Sequence, residues 1–213
     1  MRTIVYVDGF NLYFGELKGS PHKWVDLQQL FTKVLSPRNV IEKIKYFTAT
    51  VQSTPSNPQV HIRQQAYLQA LAHCCPLVEV HYGHFLRHRV RMENATPPPA
   101  TWGVWKTEEK GSDVNLALHV LNDAWQDAYD AAVIVSNDSD LAESMRLVKL
   151  HHPRKTLGLI TPGATRTGTS KRRTSQQLKQ HADFQREIRG ATISQSQLPA
   201  VIPNTSIAKP AVW

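Results

Sequence analysis

The sequence predicts an α/β protein built as a three-layer α/β/α sandwich, with a mainly parallel sheet between two layers of helices. Three observations lead there. Five β-forming runs are continuous rather than alternating: TIVYV (3–7), IKYFTATV (44–51), LVEVHY (77–82), AVIVS (132–136) and TLGLI (156–160). Strands buried on both faces have that pattern. The segments between them repeat apolar residues at helical spacing, and strands alternating with helices pack through right-handed crossovers. With 213 residues, 41% hydrophobic and 20% charged, the chain suits one folded domain.

The elements follow in order. The first strand ends in Asp8-Gly9, an ordinary turn signal. Trp24, Leu27, Leu30, Phe31, Val34 and Leu35 mark a helix before the second strand. The turn-like STPSNP leads into a helix carrying Ile62, Ala66 and Leu68 to Leu71. After the third strand, RMENATPPPATWGVW (91–105) holds three consecutive prolines and is expected to be an inserted loop or a substrate flap. Val114, Ala117, Leu118, Leu121, Ala124, Trp125 and Ala128 form the apolar stripe of the next helix, and Leu141, Met145 and Val148 that of another; both stripes are assigned to the core. A second loop, 161–173, is expected to close over the sheet edge. SQQLKQHADFQREI (175–188) reads as a helix, and the Pro-rich tail as extended chain.

Charge separates the chain more sharply than composition does. Residues 1–140 carry 13 Lys and Arg against 14 Asp and Glu, net −1; residues 141–213 carry 12 against 3, net +9. A basic region of this size, with Lys171, Arg172 and Arg173 at its centre, attracts a polyanion by releasing phosphate counterions, which makes RNA the expected partner. No apolar run approaches the ~18–20 residues of a membrane span, and MRTIVYVDG reaches an Asp too early for a secretory leader, so a cytoplasmic location is expected. The adjacent Cys74 and Cys75 fit neither a disulfide nor a zinc site, and His81, His84 and His88 lack zinc-finger spacing. Homo-oligomerisation is left open.

Four aspartates stand where chemistry would sit, at the carboxyl ends of strands or the starts of helices. Asp8 follows the first strand, Asp113 opens a helix behind Ser112, and Asp138 and Asp140 follow the fourth run. Taken singly each has a structural role: Ser112 caps its helix with Asp113 in the favoured first turn, and Asp140 with Glu143 matches a capping box. Taken together, three chain ends bring like charge to one sheet edge, which needs a cation or a proton to compensate. Oxygen ligands alone point to Mg²⁺ or Mn²⁺. Such an ion beside a basic surface indicates phosphodiester cleavage.

The stretches YVDGFNLYF, EKGSDVNLALHVLNDA and VIVSNDSDL, in that order, resemble the NYN domain family, which is PIN-like and of the LabA-like group. The likeness covers 1–165, with further pattern in LKQHADFQREIR, leaving 166–213 as a basic C-terminal helix and Pro-rich tail packed on the same domain. The resemblance implies a PIN-like, Rossmannoid fold and a metal-dependent ribonuclease. It puts Asp8, Asp113 and Asp138 on the metal and Asp140 and Asn11 at supporting positions. Two positions depart from the pattern: Asn137 replaces a frequent Gly, and His119 a second Asp. His119, six residues beyond Asp113, is rotated off that face and reads as structural. Asp140 either holds a water or caps the helix. Asn11 and Ser136 orient an Asp or the scissile phosphate, and Lys110 neutralises phosphate or is simply exposed. Phe10, Tyr13, Trp102 and Trp105 are candidates for stacking on unpaired bases, with core packing the alternative for the first two. The rival reading is a non-catalytic RNA-binding or regulatory module that keeps the fold.

Overall fold

The computed structural model describes residues 1–55, 57–163 and 174–213. Its strands are β1 (Arg2–Asp8), β2 (Val40–Ala49), β3 (Val78–Glu93), β4 (Thr101–Lys110), β5 (Ala131–Val135), β6 (Thr156–Ile160) and β7 (Phe184–Arg186). They form one sheet in the order β4-β3-β2-β1-β5-β6-β7. The sheet is mixed: every pairing is parallel except β3 with β4. Helices are α1 (Gly9–Leu12), α2 (Leu27–Val34), α3 (Val60–Cys74), α4 (Ser112–Trp125), α5 (Ala142–His151), α6 (Gln176–Lys179) and α7 (Gly190–Ser194). A π-turn occupies Tyr13–Leu17 and a 3-10 turn Ser139–Leu141.

Side chains alternate along β1, so its residues supply two hydrophobic clusters. Val5 and Val7 join Leu27, Leu30 and Phe31 of α2 and Tyr67 and Leu71 of α3. Ile4 and Tyr6 join Leu116 and Val120 of α4 and Met145 and Val148 of α5. Each such side chain contributes about 1.5–3 kcal/mol on burial. The C-terminal segment is part of the first cluster through Ile188, Ile193, Leu198 and Ile202. Trp24, expected inside a helix, precedes α2, which Asp26 caps by accepting from the Gln29 N–H at 2.8 Å.

Three sequence expectations are corrected. Residues 91–105 are not a loop. β3 leaves the sheet after Gly83, and His84–Glu93 pairs with Thr101–Lys110 as a protruding two-stranded arm. The proline run falls at the tip, where no ladder hydrogen bond is lost. There the Asn94 amide donates to the Thr96 and Pro99 carbonyls at 2.8 and 2.9 Å. Residues 175–188 are not one helix. Only Gln176–Lys179 is helical, and Phe184–Arg186 is the edge strand β7. The Asp183 carboxylate accepts from the Leu157 N–H at 2.7 Å and pairs with Lys149 at 2.8 Å, which pins the chain alongside β6. Finally, α4 is rotated from its expected stripe. Leu116, Val120 and Asp123 are buried, while Val114, Leu118 and Trp125 face outward. The buried ion pair between Asp123 and Lys45 of β2, at 2.6 Å, faces the sheet on that stripe, which begins with Asp113.

Candidate active site

β1 and β5 are neighbours, and from β1 the chain continues to β2 on the opposite side. The reversal leaves a crevice beyond their carboxyl ends, the usual ligand position in sheets of this type. Asp8 closes β1 there and is buried, 3% exposed. It caps α1: the Asn11 N–H donates to Oδ1 at 2.8 Å and the Asn11 amide to Oδ2 at 2.7 Å. The turn is tight because Gly9 has no side chain. A Cβ at Gly9 would lie 2.7 Å from the Phe47 carbonyl oxygen and the Tyr46 hydroxyl.

Ser136 follows β5 and is fully buried. Its hydroxyl donates to Asp8 Oδ2 at 2.9 Å and accepts from the Asp138 N–H at 3.0 Å. One side chain therefore ties the two strand ends together. Asp138, not Asp140, is the helix cap: its carboxylate accepts from the Asp140 N–H at 3.0 Å and opens the 3-10 turn. Asp140 is exposed, and Glu143 pairs with Arg146 at 2.7 Å instead of completing a capping box.

Asp113 enters from α4. The expected Ser112 cap is replaced: Gly111, at φ 95°, is the N-cap, and the Glu109 carboxylate accepts from the Ser112 N–H at 3.0 Å. Only glycine adopts that left-handed backbone without strain. Burial pushes the Asp113 carboxyl up to about 7, helped by the charges of Asp8, Asp138, Glu109 and Asp140. Asp8 is also pushed up by burial, and the donors from Asn11 and Ser136 oppose the rise. Asp8, Asp113, Asp138 and Asp140 thus share one electrostatic site. Glu109 joins it, a residue overlooked in the sequence although it stands four places before Asp113 in the same motif.

The donor set is carboxylate oxygen throughout, which fits Mg²⁺ or Mn²⁺ rather than zinc. Among the described residues no group of three or more His, Cys, Asp or Glu is arranged to hold a metal ion. Lys110 lies on β4 and pairs with Glu108 at 3.4 Å. Lys171, Arg172 and Arg173 lie outside the described residues. His119 is away from the acids, 3.2 Å from the Lys45 ammonium and against the ring of His81, with 4.3 Å between centroids.

The arm adds residues that sequence reasoning did not single out. Cross-strand partners share a face, so Phe85, Arg87, Arg89 and Arg91 lie on one side with Trp105 and Gly103. Phe85 meets Phe10 edge-on at 5.8 Å, which places this face next to α1. The Arg87 guanidinium lies 5.0 Å from the Trp105 ring, and Trp105 is 64% exposed. Trp102 projects from the other face.

A curated relative, 6-hydroxy-3-succinoylpyridine 3-monooxygenase HspA of Pseudomonas putida (strain DSM 28022 / S16), is 32% identical over 240 aligned residues, covering 100% of this chain and 75% of the relative. A crystal structure of a protein of unknown function from Vibrio parahaemolyticus RIMD 2210633 is similar over 89% of this chain and 93% of its own, with 16% identity and a TM-score of 0.49. The family model described as NYN domain matches residues 2–186, from the start of β1 to the end of β7, and the chain belongs to the NYN domain family.

Proposed function

We propose that the chain is a cytoplasmic, metal-dependent ribonuclease with a PIN-like, three-layer fold. NYN domains are generally nucleases that bind RNA, and no described helix is long and apolar enough to cross a membrane. The observation that carries the reading is the Ser136 hydroxyl, which bonds both the Asp8 carboxylate and the Asp138 N–H and so draws two acids to one crevice, with Asp113 raised by burial and by their charge. Such crowding is offset by a cation. Asp8, Asp113 and Asp138 would hold Mg²⁺ or Mn²⁺, which supplies Lewis-acid activation of water and of the phosphate.

The remaining work falls to the chain itself. Asn11 and Ser136 keep the Asp8 oxygens in place, and Ser136 sets the start of the Asp138 turn. Asp140, exposed beside Asp138, would hold the attacking water. RNA reaches the acids along the arm, where Arg87, Arg89 and Arg91 meet phosphates and Trp105 stacks on an unpaired base. The basic run at Lys171, Arg172 and Arg173 would supply further positive charge for phosphates, and Lys110, on the other face of β4, is a further candidate.

Purified protein given single-stranded or structured RNA with Mn²⁺ is expected to cleave it, and Asp138→Asn is expected to bind RNA without cutting. Binding without cleavage by the unaltered chain would favour a non-catalytic RNA-binding module, and equal cleavage by the variant would reveal a contaminant. Replacing Arg87, Arg89 and Arg91 with Ala is expected to weaken RNA binding and reduce the log–log salt slope by about 2, since each single-strand phosphate contact contributes about 0.7. An unchanged slope would remove the arm from the RNA path.

A second reading rests on the 32% identical relative, whose name describes a monooxygenase acting on a succinoylpyridine. The chain would then act on a small heteroaromatic acid. Oxygen consumption dependent on both a pyridine acid and a two-electron reductant such as reduced nicotinamide nucleotide, with no RNA cleavage under any metal, would select it.

A further inference from the structure

Beside Gly9 the structure holds a cavity of about 290 Å³, none of whose lining residues is an acid. This is at the low end of the roughly 300–1,000 Å³ typical of small-molecule sites. It suits one ring system with a short substituent. Its walls come from segments far apart in sequence. The π-turn brings Tyr13 and Phe14, β2 brings Tyr46, and Trp213 closes another side. Single π-turns within helices cluster at functional sites.

The polar lining joins three cations to the neutral groups of Tyr46, Thr48, Asn57 and Gln64. Tyr46 is 8% exposed and lines the cavity, with its hydroxyl beside Gly9 and within the field of Asp8. Lys18, Lys23 and Arg63 also line the cavity, and no Asp or Glu side chain does. None of these three cations forms an ion pair among the described residues. Lys18 lies 4.9 Å from the Phe14 ring, Lys23 donates to the Ser20 carbonyl at 2.8 Å, and Arg63 donates to the Asn57 side chain. Each keeps donors for an anion.

We propose that this cavity binds a planar heteroaromatic ring bearing an anionic group, with the ring against the aromatic walls, an acceptor at the Tyr46 hydroxyl and the anion at Lys18, Lys23 and Arg63. Two sources share that chemistry: a nucleotide of an RNA strand and a free heteroaromatic acid. Neither requires that the acidic site cleave phosphodiesters. Binding can be read without metal and without turnover.

The test is titration of the full chain in EDTA with uridine 5′-monophosphate, adenosine 5′-monophosphate and nicotinate, followed by calorimetry and tryptophan fluorescence. At least one anion is expected to bind saturably, with adenosine and nicotinamide, which lack the charge, about tenfold weaker. Arg63→Ala and Phe14→Ala, both at surface-reachable positions, are each expected to weaken binding about tenfold, and Tyr46→Phe by less. Tighter nucleotide binding identifies an RNA base subsite, and tighter nicotinate binding identifies a free acid; both support the site. Absence of saturable binding, or binding that Arg63→Ala and Phe14→Ala both leave unchanged, overturns it. Failure of the nuclease reading appears separately, as absent RNA cleavage with ring binding intact.

Discussion

Asp113→Asn is expected to abolish metal-dependent RNA cleavage while making the metal-free protein more stable at pH 8. The activity loss is set at about 10²-fold or more, the usual cost of deleting one preorganised charged group from a reacting site. The gain in stability follows from linkage. The Asp113 carboxyl is moved from 3.8 to about 7, by burial first and then by Asp8, Asp138, Glu109 and Asp140. A folded-state value above the unfolded one means stability that is complete below pH ~4 and lost as pH rises through about 7. Three units correspond to about 4 kcal/mol at most, and partial exposure of the group reduces that to about 1–2 kcal/mol. Chemical denaturation in EDTA at pH 5 and pH 8 measures it. The unaltered chain should lose stability across this window, and Asp113→Asn should lose less. Mg²⁺ should then stabilise the original chain at pH 8 and leave the variant nearly unaffected. A variant no more stable than its parent at pH 8 would show that the acids do not crowd Asp113.

Lys45→Met is expected to cost about 3–5 kcal/mol and to lower Tm by roughly 10 °C. Lys45 and Asp123 are 9% and 6% exposed in their side chains and meet at 2.6 Å. The Tyr6 hydroxyl donates to the same Asp123 oxygen at 2.6 Å. Removing the ammonium leaves a buried carboxylate with a phenol as its main partner, a larger penalty than the pair itself contributes. The triple variant Tyr6→Phe, Lys45→Met, Asp123→Leu takes out all three polar groups and should recover most of the loss. Thermal unfolding followed by circular dichroism separates the cases; equal damage from the single and triple variants would mean that packing, not charge, governs this face. The cluster joins β1, β2 and α4, so it also fixes the rotation of the helix that presents Asp113. A weakened pair should therefore lower metal affinity at a distance.

The central sheet was legible because its strands are buried on both faces and leave continuous apolar runs. The positions of Asp8, Asp113 and Asp138 were legible because each ends or begins such an element. The arm was not, because its exposed strand is dominated by Arg87, His88, Arg89 and Arg91 with Val90 the apolar residue among them, and three prolines dominate the local pattern. The facing of α4 escaped because hydrophobicity alone points to Leu118 and Trp125, whereas the buried stripe carries the ion-paired Asp123. The cap at Asp138 was displaced by one residue pair, since D-x-x-E is satisfied on paper by Asp140 and Glu143 but Asp138 holds the turn. The cavity beside Gly9 has no sequence signature, because its walls are assembled only by folding.

Gly9 acquires a further meaning from its position. It follows Asp8 at the crevice and also lines the aromatic cavity. A side chain at position 9 would meet the Tyr46 ring and the Phe47 carbonyl oxygen at 2.7 Å, so the backbone that carries Asp8 and a wall of the cavity would both have to shift.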